Sequence, residues 1–262
     1  MHRDGYFDES VASTYDDDVD SFNPEAVDPV VDFLAKLVGS GSALEFGIGT
    51  GRIALPLAMK GVNVHGIDLS KAMLTKLAEK TGGDRISVTQ GDFATTSCSG
   101  SFSLVYLIFN TIMNLTTQEA QVRCFQNAAS HLNPGGNFVI QVMVPALQQI
   151  PPGETNHVFD LRDDHWGVDT YDVVSQSLTS HHLKVHNQKV DLSSTPFRYV
   201  WPSELDLMAR IANLRLKARW GGWQKEPFTN TSRYHVSVWE KPLTSDKTTT
   251  AAESNAHPPE AH

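Results

Sequence analysis

Apolar residues recur along this chain in two rhythms, and the alternation between them sets out the architecture. Short, almost wholly apolar runs read as buried strands. Stretches whose apolar residues return every three or four positions read as amphipathic helices. The pattern predicts strand 42–46, helix 51–60, strand 62–67, helix 70–80, strand 85–90, strand 103–109, helix 116–131 and strand 136–144. Ahead of them Val30, Val31, Leu34, Leu37 and Val38 form one apolar helix face. Asp28-Pro29 suits the start of that helix and Gly39 to Gly41 its end. Strand and helix in alternation predict an α/β fold with a mostly parallel sheet and helices on both faces. Pro134-Gly135-Gly136 reads as the turn into the fifth strand.

Beyond Pro145 the rhythm shortens. Residues 156–161, 171–178, 183–192 and 198–200 alternate apolar and polar, which predicts an antiparallel sheet inserted after the fifth strand. Pro202-Ser203-Glu204-Leu205-Asp206 opens a further helix with Ser203 as its N-cap. Residues 214–220 and 232–240 return as strands. The chain divides into an N-terminal segment 1–22, a core 23–145, an inserted region 146–200, a completing segment 201–242 and a tail 243–262. The tail has little apolar content and reads as disordered.

The chemistry-bearing stretch is Leu44-Glu45-Phe46-Gly47-Ile48-Gly49-Thr50-Gly51-Arg52. It reads as a strand, a tight turn and a helix start. Glycine admits positive φ and lacks a Cβ, so the backbone can press against a ligand. N–H groups at a helix start suit a carboxylate or phosphate. The dinucleotide fingerprint G-x-G-x-x-G needs glycine at position 52, where this chain has Arg52. Asp68 closes the second strand about 20 residues further on, where a carboxylate accepts hydrogen bonds from ribose hydroxyls. Leu69 follows it, and Ser70 is placed to cap the next helix, which leaves Asp68 unengaged. Gly91-Asp92-Phe93 ends the third strand, either as a second ligand contact or as an ordinary turn.

The pattern E-x-G-x-G-x-G, with Asp68 and Gly91-Asp92-Phe93 at their offsets, resembles class I S-adenosylmethionine-dependent methyltransferases. Within them it is most similar to bacterial small-molecule enzymes of natural-product pathways. Residues 42–144 carry the resemblance, and the order of elements follows to residue 240. It implies a Rossmann-like seven-stranded sheet whose last strand is antiparallel, and S-adenosylmethionine as cofactor. It also implies that Gly47, Gly49 and Gly51 form the loop under the amino-acid end of the cofactor, with Glu45 ordering its base. Asp68 then holds the ribose, with Leu69 among the cofactor contacts. Asp92, an acceptor-only group, takes the adenine amine, and Phe93 packs on the ring. Ile108, Phe109 and Asn110 line the floor. The segment Val11-Ala12-Ser13-Thr14-Tyr15-Asp16 resembles one that such enzymes fold over the cofactor. Tyr15 touches the methionine end, lines the acceptor site, or packs on the first helix. Asp16-Asp17-Asp18 reads as a solvated surface. Arg52 pairs with the cofactor's carboxylate, pairs with one on the substrate, or faces solvent.

Composition narrows the acceptor. A formal net charge of -9 over 262 residues, with no Lys/Arg cluster, argues against nucleic acid. The cysteines are Cys98 and Cys124, without metal spacing, which fits a reducing cytosol. The acidic N-terminus is not a secretory signal, and no apolar run suffices for a membrane span. The expectation is a cytoplasmic protein acting on a small molecule, an aromatic one included. His181 and His182 fall on opposite faces of a strand, and no cysteine or carboxylate completes a set with His186, so no metal is expected.

Ligands of such sheets lie beyond the carboxyl ends of the strands. The fourth strand delivers Asn110-Thr111-Ile112-Met113-Asn114 to that edge. The segment lacks the Pro-Pro pair of exocyclic-amine methyltransferases and the cysteine of cytosine-C5 enzymes. It also lacks the carboxylates that magnesium needs. Several of the similar enzymes have histidine where this chain has Asn114. Asn110 and Asn114 orient an acceptor but cannot take its proton; turn capping is their plainer role. A hydroxyl acceptor wants a base, with His165, His182, His235 and Tyr15 as candidates. Trp166, Trp201, Trp220 and Trp223 cover a flat or cationic acceptor, or serve as core. The expected activity is methyl transfer to nitrogen, oxygen or an electron-rich aromatic carbon. The alternatives are a nicotinamide-dependent oxidoreductase on the same fold and a non-catalytic protein that binds S-adenosylmethionine.

Overall fold

A computed structural model describes residues 6–17, 23–186 and 189–243. The predicted tail falls outside these residues except for Leu243. In chain order the strands are β1 (Ser42–Phe46), β2 (Asn63–Asp68), β3 (Ser87–Gln90), β4 (Phe102–Leu107), β5 (Leu132–Met143), β6 (Asn156–Leu161), β7 (His165–Asp172), β8 (Ser177–His186), β9 (Lys189–Arg198), β10 (Arg215–Trp220) and β11 (Tyr234–Glu240). The helices are α1 (Glu9–Thr14), α2 (Pro24–Val38), α3 (Ala54–Met59), α4 (Lys71–Glu79), α5 (Gln118–His131) and α6 (Pro202–Ile211).

One sheet has seven strands in the order β10-β11-β5-β4-β1-β2-β3. Strands β1 to β5 pair in parallel, and β11 runs antiparallel to both β5 and β10. The order departs from β1 in both directions, so a crevice opens beyond the carboxyl ends of β1 and β4. Successive side chains leave a strand on opposite faces. Ala43, Val64, Leu104 and Val238 meet Val30, Val31 and Leu34 of α2, Leu57 of α3 and Leu77 of α4. Leu44, Phe46, Val105, Phe138 and Trp239 meet Phe125 and Ala128 of α5 and Leu205 and Met208 of α6. The sheet is therefore covered on both faces, as the alternation of elements predicts.

Local chemistry shifts several predicted boundaries. Helix α2 begins at Pro24, not Pro29, because Asn23 caps it by accepting from the Glu25 N–H at 3.0 Å. Pro29 lies inside the helix at the cost of one backbone bond. Helix α3 starts later than predicted, since Gly51 keeps a φ of 82° and the loop runs on to Ile53. Strand β5 starts earlier: its ladder with β4 jumps from Phe102–Leu132 to Leu104–Asn137. Pro134-Gly135-Gly136 is thus a bulge within the strand, held by Lys241, whose carbonyl accepts from Gly135 N–H and whose N–H donates to the Gly136 carbonyl. Trp201, not Ser203, occupies the cap position of α6, because Pro202 takes the first helical position.

The inserted sheet is the antiparallel meander β6-β7-β8-β9. Residues 171–178, predicted as one strand, straddle the turn between β7 and β8, where Asp172 accepts from the Val174 N–H and Ser175 Oγ. Tyr171, Leu178 and Tyr199 bury the sheet against the α5 and α6 side of the core. Arg198, 5% exposed, fixes it there. Its guanidinium meets Glu204 at 2.7 Å and donates to the side-chain oxygens of Gln121 and Gln176.

Candidate active site

The loop after β1 is shaped by glycines that no other residue replaces at two points. Gly47 has φ 69°, and a Cβ there would lie 2.6 Å from Thr111 Cγ2. Gly51 has φ 82°, and a Cβ there would collide with Leu77 Cδ1. The loop is tied to β2 by hydrogen bonds from Gly47 N–H and Ile48 N–H to the Ile67 carbonyl, at 2.8 and 3.2 Å.

Asp68 completes the clasp. Its Oδ2 accepts from Gly49 N–H at 2.7 Å and its Oδ1 from Ser70 N–H at 2.8 Å. Burial raises the Asp68 carboxyl pKa, and the bonds from Ser70, Gly49 and Leu69 pull it back. Ser70 does cap α4, through the Met73 N–H at 3.1 Å. The expectation that this leaves Asp68 unengaged is corrected: the carboxylate fastens the glycine loop. Each of its oxygens retains a lone pair for a further donor.

The N-terminal segment lies on this loop. Ser70 Oγ donates to the Phe7 carbonyl. Asp16 pairs with Lys80 at 2.6 Å and accepts from Thr50 Oγ1 at 2.7 Å, while Lys80 Nζ donates to the Thr50 carbonyl at 2.8 Å. Asp16 is therefore a latch rather than a solvated charge; Asp18 lies outside the described residues. Tyr15 rests edge-on against Phe7, ring centroids 6.1 Å apart.

A recess of about 40 Å³ lies at the loop. Tyr15, Glu45, Gly47, Gly49, Arg52 and Ile108 line it together with Phe109 and Thr111. Glu45 is 5% exposed and accepts from Tyr106 Oη at 2.9 Å. Burial pushes its carboxyl up to about 8, opposed by the Tyr106 bond and the Arg52 charge. The Arg52 guanidinium stacks 3.7 Å from the centre of the Phe109 ring. Leu69, 42% exposed, and the exposed Asp92 stand beyond the tips of β2 and β3. Asp92 Oδ1 accepts from the Ala94 N–H at 2.8 Å. Phe93 is buried and stacked on Phe46, so it supports this edge from below.

Phe109 and Asn110 both hold positive φ, 53° and 65°, which side chains rarely adopt. Strand β5 secures them. Phe109 N–H donates to Gln141 Oε1 at 2.7 Å, and Asn110 Oδ1 accepts from the Met143 N–H at 2.7 Å. The Asn110 side chain is thus a strut between β4 and β5. Asn114, half-buried at the end of the turn Thr111–Asn114, is not among the residues lining the recess.

The nominated imidazole bases lie elsewhere. His235 is 0% exposed, and burial lowers its pKa to about 3. His165 and His182 stack on each other in the inserted sheet, and His165 Nδ1 meets Asp160 at 2.6 Å. Trp220 packs edge-on against Phe33 and Trp201 against Tyr199, while Trp166 is exposed. Among the described residues, no group of three or more His, Cys, Asp or Glu side chains is arranged to hold a metal ion. No described helix is long and apolar enough to cross a membrane.

A second, wider cleft of about 290 Å³ shares Phe109 with the recess and takes in Trp223; sequence reasoning named these two as site candidates and missed the rest of its lining. Its other walls come from α2, Gln141, the loop after β10 and Tyr234. The available signal was the Gly221-Gly222-Trp223 sequence, a turn carrying an aromatic ring.

A doubly covered parallel sheet with a glycine loop clasped by an acidic strand end defines a Rossmann-like nucleotide-cofactor enzyme. Residues 43–136 match the family model described as a methyltransferase domain. The chain is 34% identical to the CcbJ methyltransferase from Streptomyces caelestis, covering 89% of this chain and 96% of that one, with a TM-score of 0.78. It is 28% identical over 203 residues to the cypemycin N-terminal methyltransferase of a Streptomyces species, covering 76% of this chain and 83% of that protein. CalS10, an amino pentose methyltransferase from Micromonospora echinaspora, shares the fold at 20% identity, covering 87% of this chain and 95% of that one, with a TM-score of 0.66. The chain belongs to the S-adenosylmethionine-dependent methyltransferases. S-adenosylmethionine is its cofactor, and the oxidoreductase and non-catalytic readings give way.

Proposed function

We propose that this enzyme methylates a nitrogen of a small molecule in a bacterial natural-product pathway, inside the cytoplasm. The observation that carries the choice of nitrogen is the placement of the candidate bases. No nominated imidazole reaches the recess: His165, His182 and His235 lie off it, Tyr15 is the one nominated base that lines it, and burial holds Glu45 as a neutral acid. A hydroxyl needs a strong base at the reacting atom, whereas a neutral amine attacks through its own lone pair and needs only a weak proton acceptor nearby. The name of the cypemycin N-terminal methyltransferase supports the same reading. The free thiols Cys98 and Cys124 support a reducing compartment.

The residues fit the cofactor by their chemistry. Acceptor-only Asp68 suits the ribose diol, and Asp92 suits the adenine amine, with Leu69 and Phe93 as its apolar setting. Gly47, Gly49 and Gly51 leave the backbone bare for the methionine portion. Arg52 suits its carboxylate, Glu45 shapes the base of the loop, and Tyr15 covers it. When bound, the cofactor supplies an electrophilic methyl: the N–C bond forms as the S–C bond breaks, sulfur keeps the electron pair, and the methylated nitrogen releases a proton to water. Ile108 and Phe109 form the floor that separates this chemistry from bulk water. Asn110 keeps that floor at its height through Met143, and Asn114 supports the same turn.

The test offers S-adenosylmethionine with benzylamine and, separately, benzyl alcohol, and reads S-adenosylhomocysteine release and product mass. Methylation of the amine alone is the expected result. Methylation of the alcohol with the amine inert would overturn the nitrogen assignment.

A further inference from the structure

The cleft beside the recess has a charge pattern of its own. Glu25 contributes to it from the first turn of α2, and Glu226 from the loop after β10. Trp223, Tyr234, Phe109 and Gln141 complete the walls that matter here. All these residues gather beyond the carboxyl ends of the parallel strands: Phe109 follows β4, Gln141 lies near the end of β5, and Tyr234 pairs with Met143.

The loop that carries Trp223 and Glu226 is built rather than slack. Gly221 N–H donates to the Glu226 carbonyl at 2.7 Å, and Glu226 Oε2 accepts from the Gln224 N–H at 3.1 Å. A Cβ on Gly222 would sit 2.6 Å from that same Oε2, so glycine lets the carboxylate fold back onto the loop. Trp223 is braced from behind by Phe33, ring centroids 5.3 Å apart. Of the loop's two cations, Lys225 is turned over the Trp220 ring at 5.4 Å, and Arg233, next to Tyr234, is not among the residues lining the cleft. Arg52 lines the recess and not the cleft. The Phe109 ring therefore stands between a cationic side, suited to the cofactor's carboxylate, and an anionic, aromatic side.

We propose that this cleft is the acceptor subsite and that it selects a small-molecule aliphatic amine in its ammonium form, using Glu25, Glu226, Trp223 and Tyr234. The assignment rests on the nitrogen-methylation reading above. Carboxylates and aromatic faces both attract a cation, each modestly at a site open to solvent. The cleft is open to solvent and carries two carboxylates, so the bound ammonium passes its proton through them to water, and the neutral amine that results presents its lone pair beside Phe109. A neutral hydroxyl compound of the same shape gains none of this attraction.

Two readouts separate the subsite from the reaction. Benzylamine is titrated into isotope-labelled protein saturated with S-adenosylhomocysteine, and the Trp223 indole N–H signal is followed, assigned with Trp223→Phe. KM for benzylamine is measured in parallel. The Trp223 signal is expected to move with benzylamine and not with benzyl alcohol. Glu25→Gln and Glu226→Gln are each expected to raise KM roughly fivefold, and the double variant about twenty-fivefold, the upper end for exposed ion pairs. Affinity for S-adenosylhomocysteine should stay unchanged, which also certifies folding. A Trp223 signal that ignores benzylamine, or a double variant with wild-type KM, would overturn the subsite even if the amine is methylated. Amine binding at Trp223 without any methyl transfer would instead strike at the nitrogen-methylation reading.

Discussion

Glu45 offers the sharpest test of how the loop is held. Its carboxyl is 5% exposed, bonded to Tyr106, and pushed up to about 8 from 4.5, chiefly by burial. In the unfolded chain the same group ionises at the ordinary value. Rising pH therefore removes the proton from the unfolded chain first and favours unfolding, and the loss saturates once the folded pKa is passed. Replacing Glu45 with Gln keeps an oxygen for the Tyr106 hydroxyl and removes the ionisation. At 1.36 kcal/mol per pKa unit, the Gln variant should gain about 1 kcal/mol over wild type near about pH 5. The gain should grow to about 3 kcal/mol at about pH 7 and level off near about 5 kcal/mol above about pH 8. Urea unfolding of both proteins across that range reads the difference directly. A difference that does not change with pH, or a variant less stable than wild type at neutral pH, would refute the account of Glu45 as a buried neutral acid.

Removing the Asp68 carboxylate with Asp68→Ala should weaken S-adenosylhomocysteine binding by about 1 to 3 kcal/mol in calorimetry, because it loses the proposed ribose acceptor together with the Gly49 clasp; an unchanged affinity would remove Asp68 from the site. Arg198→Met should cost about 1 to 3 kcal/mol in urea unfolding, since it removes the buried ion pair and leaves Glu204 with only the Gln118 and Gln176 amides as donors; an unchanged stability would show the insert is anchored elsewhere.

Much of this architecture was legible because its causes are local. The glycine spacing from Gly47 to Gly51 demands a turn, and the apolar runs around it have no exit but a sheet core. Ser70 announces its own helix by lying three residues before an N–H it can cap. The misplaced boundaries also have local causes, in which two signals compete. Asn23-Pro24 and Asp28-Pro29 each spell a helix start, and the hydrogen bond to Glu25 decides for the first. The site's finer parts were not legible, because they join residues far apart in the chain. Asp16 reads as one charge in an acidic run until Lys80 is placed beside it. Asn110 looks like a substrate contact until β5 brings Met143 to its side-chain oxygen. The proposed acceptor cleft draws on five separate segments, and nothing in any one of them names the others.

The strained pair Phe109-Asn110 explains why those distant segments must meet. Positive φ at two consecutive non-glycine residues persists only where the surroundings over-determine it. Gln141 supplies that constraint twice, through its side-chain oxygen to Phe109 and its carbonyl to the Asn110 N–H. The reward for the strain is the position of one ring. Phe109 faces Arg52 on the side of the cofactor loop and also walls the cleft that holds Glu25 and Glu226. Because Phe109 lines both cavities, relaxing the turn would reshape the recess and the cleft together. Strain at the end of β4 and opposite charges to either side of it are thus two aspects of one arrangement: a ring held in place beside which the proposed acceptor nitrogen meets the methyl, with Arg52 on one side and Glu25 and Glu226 on the other.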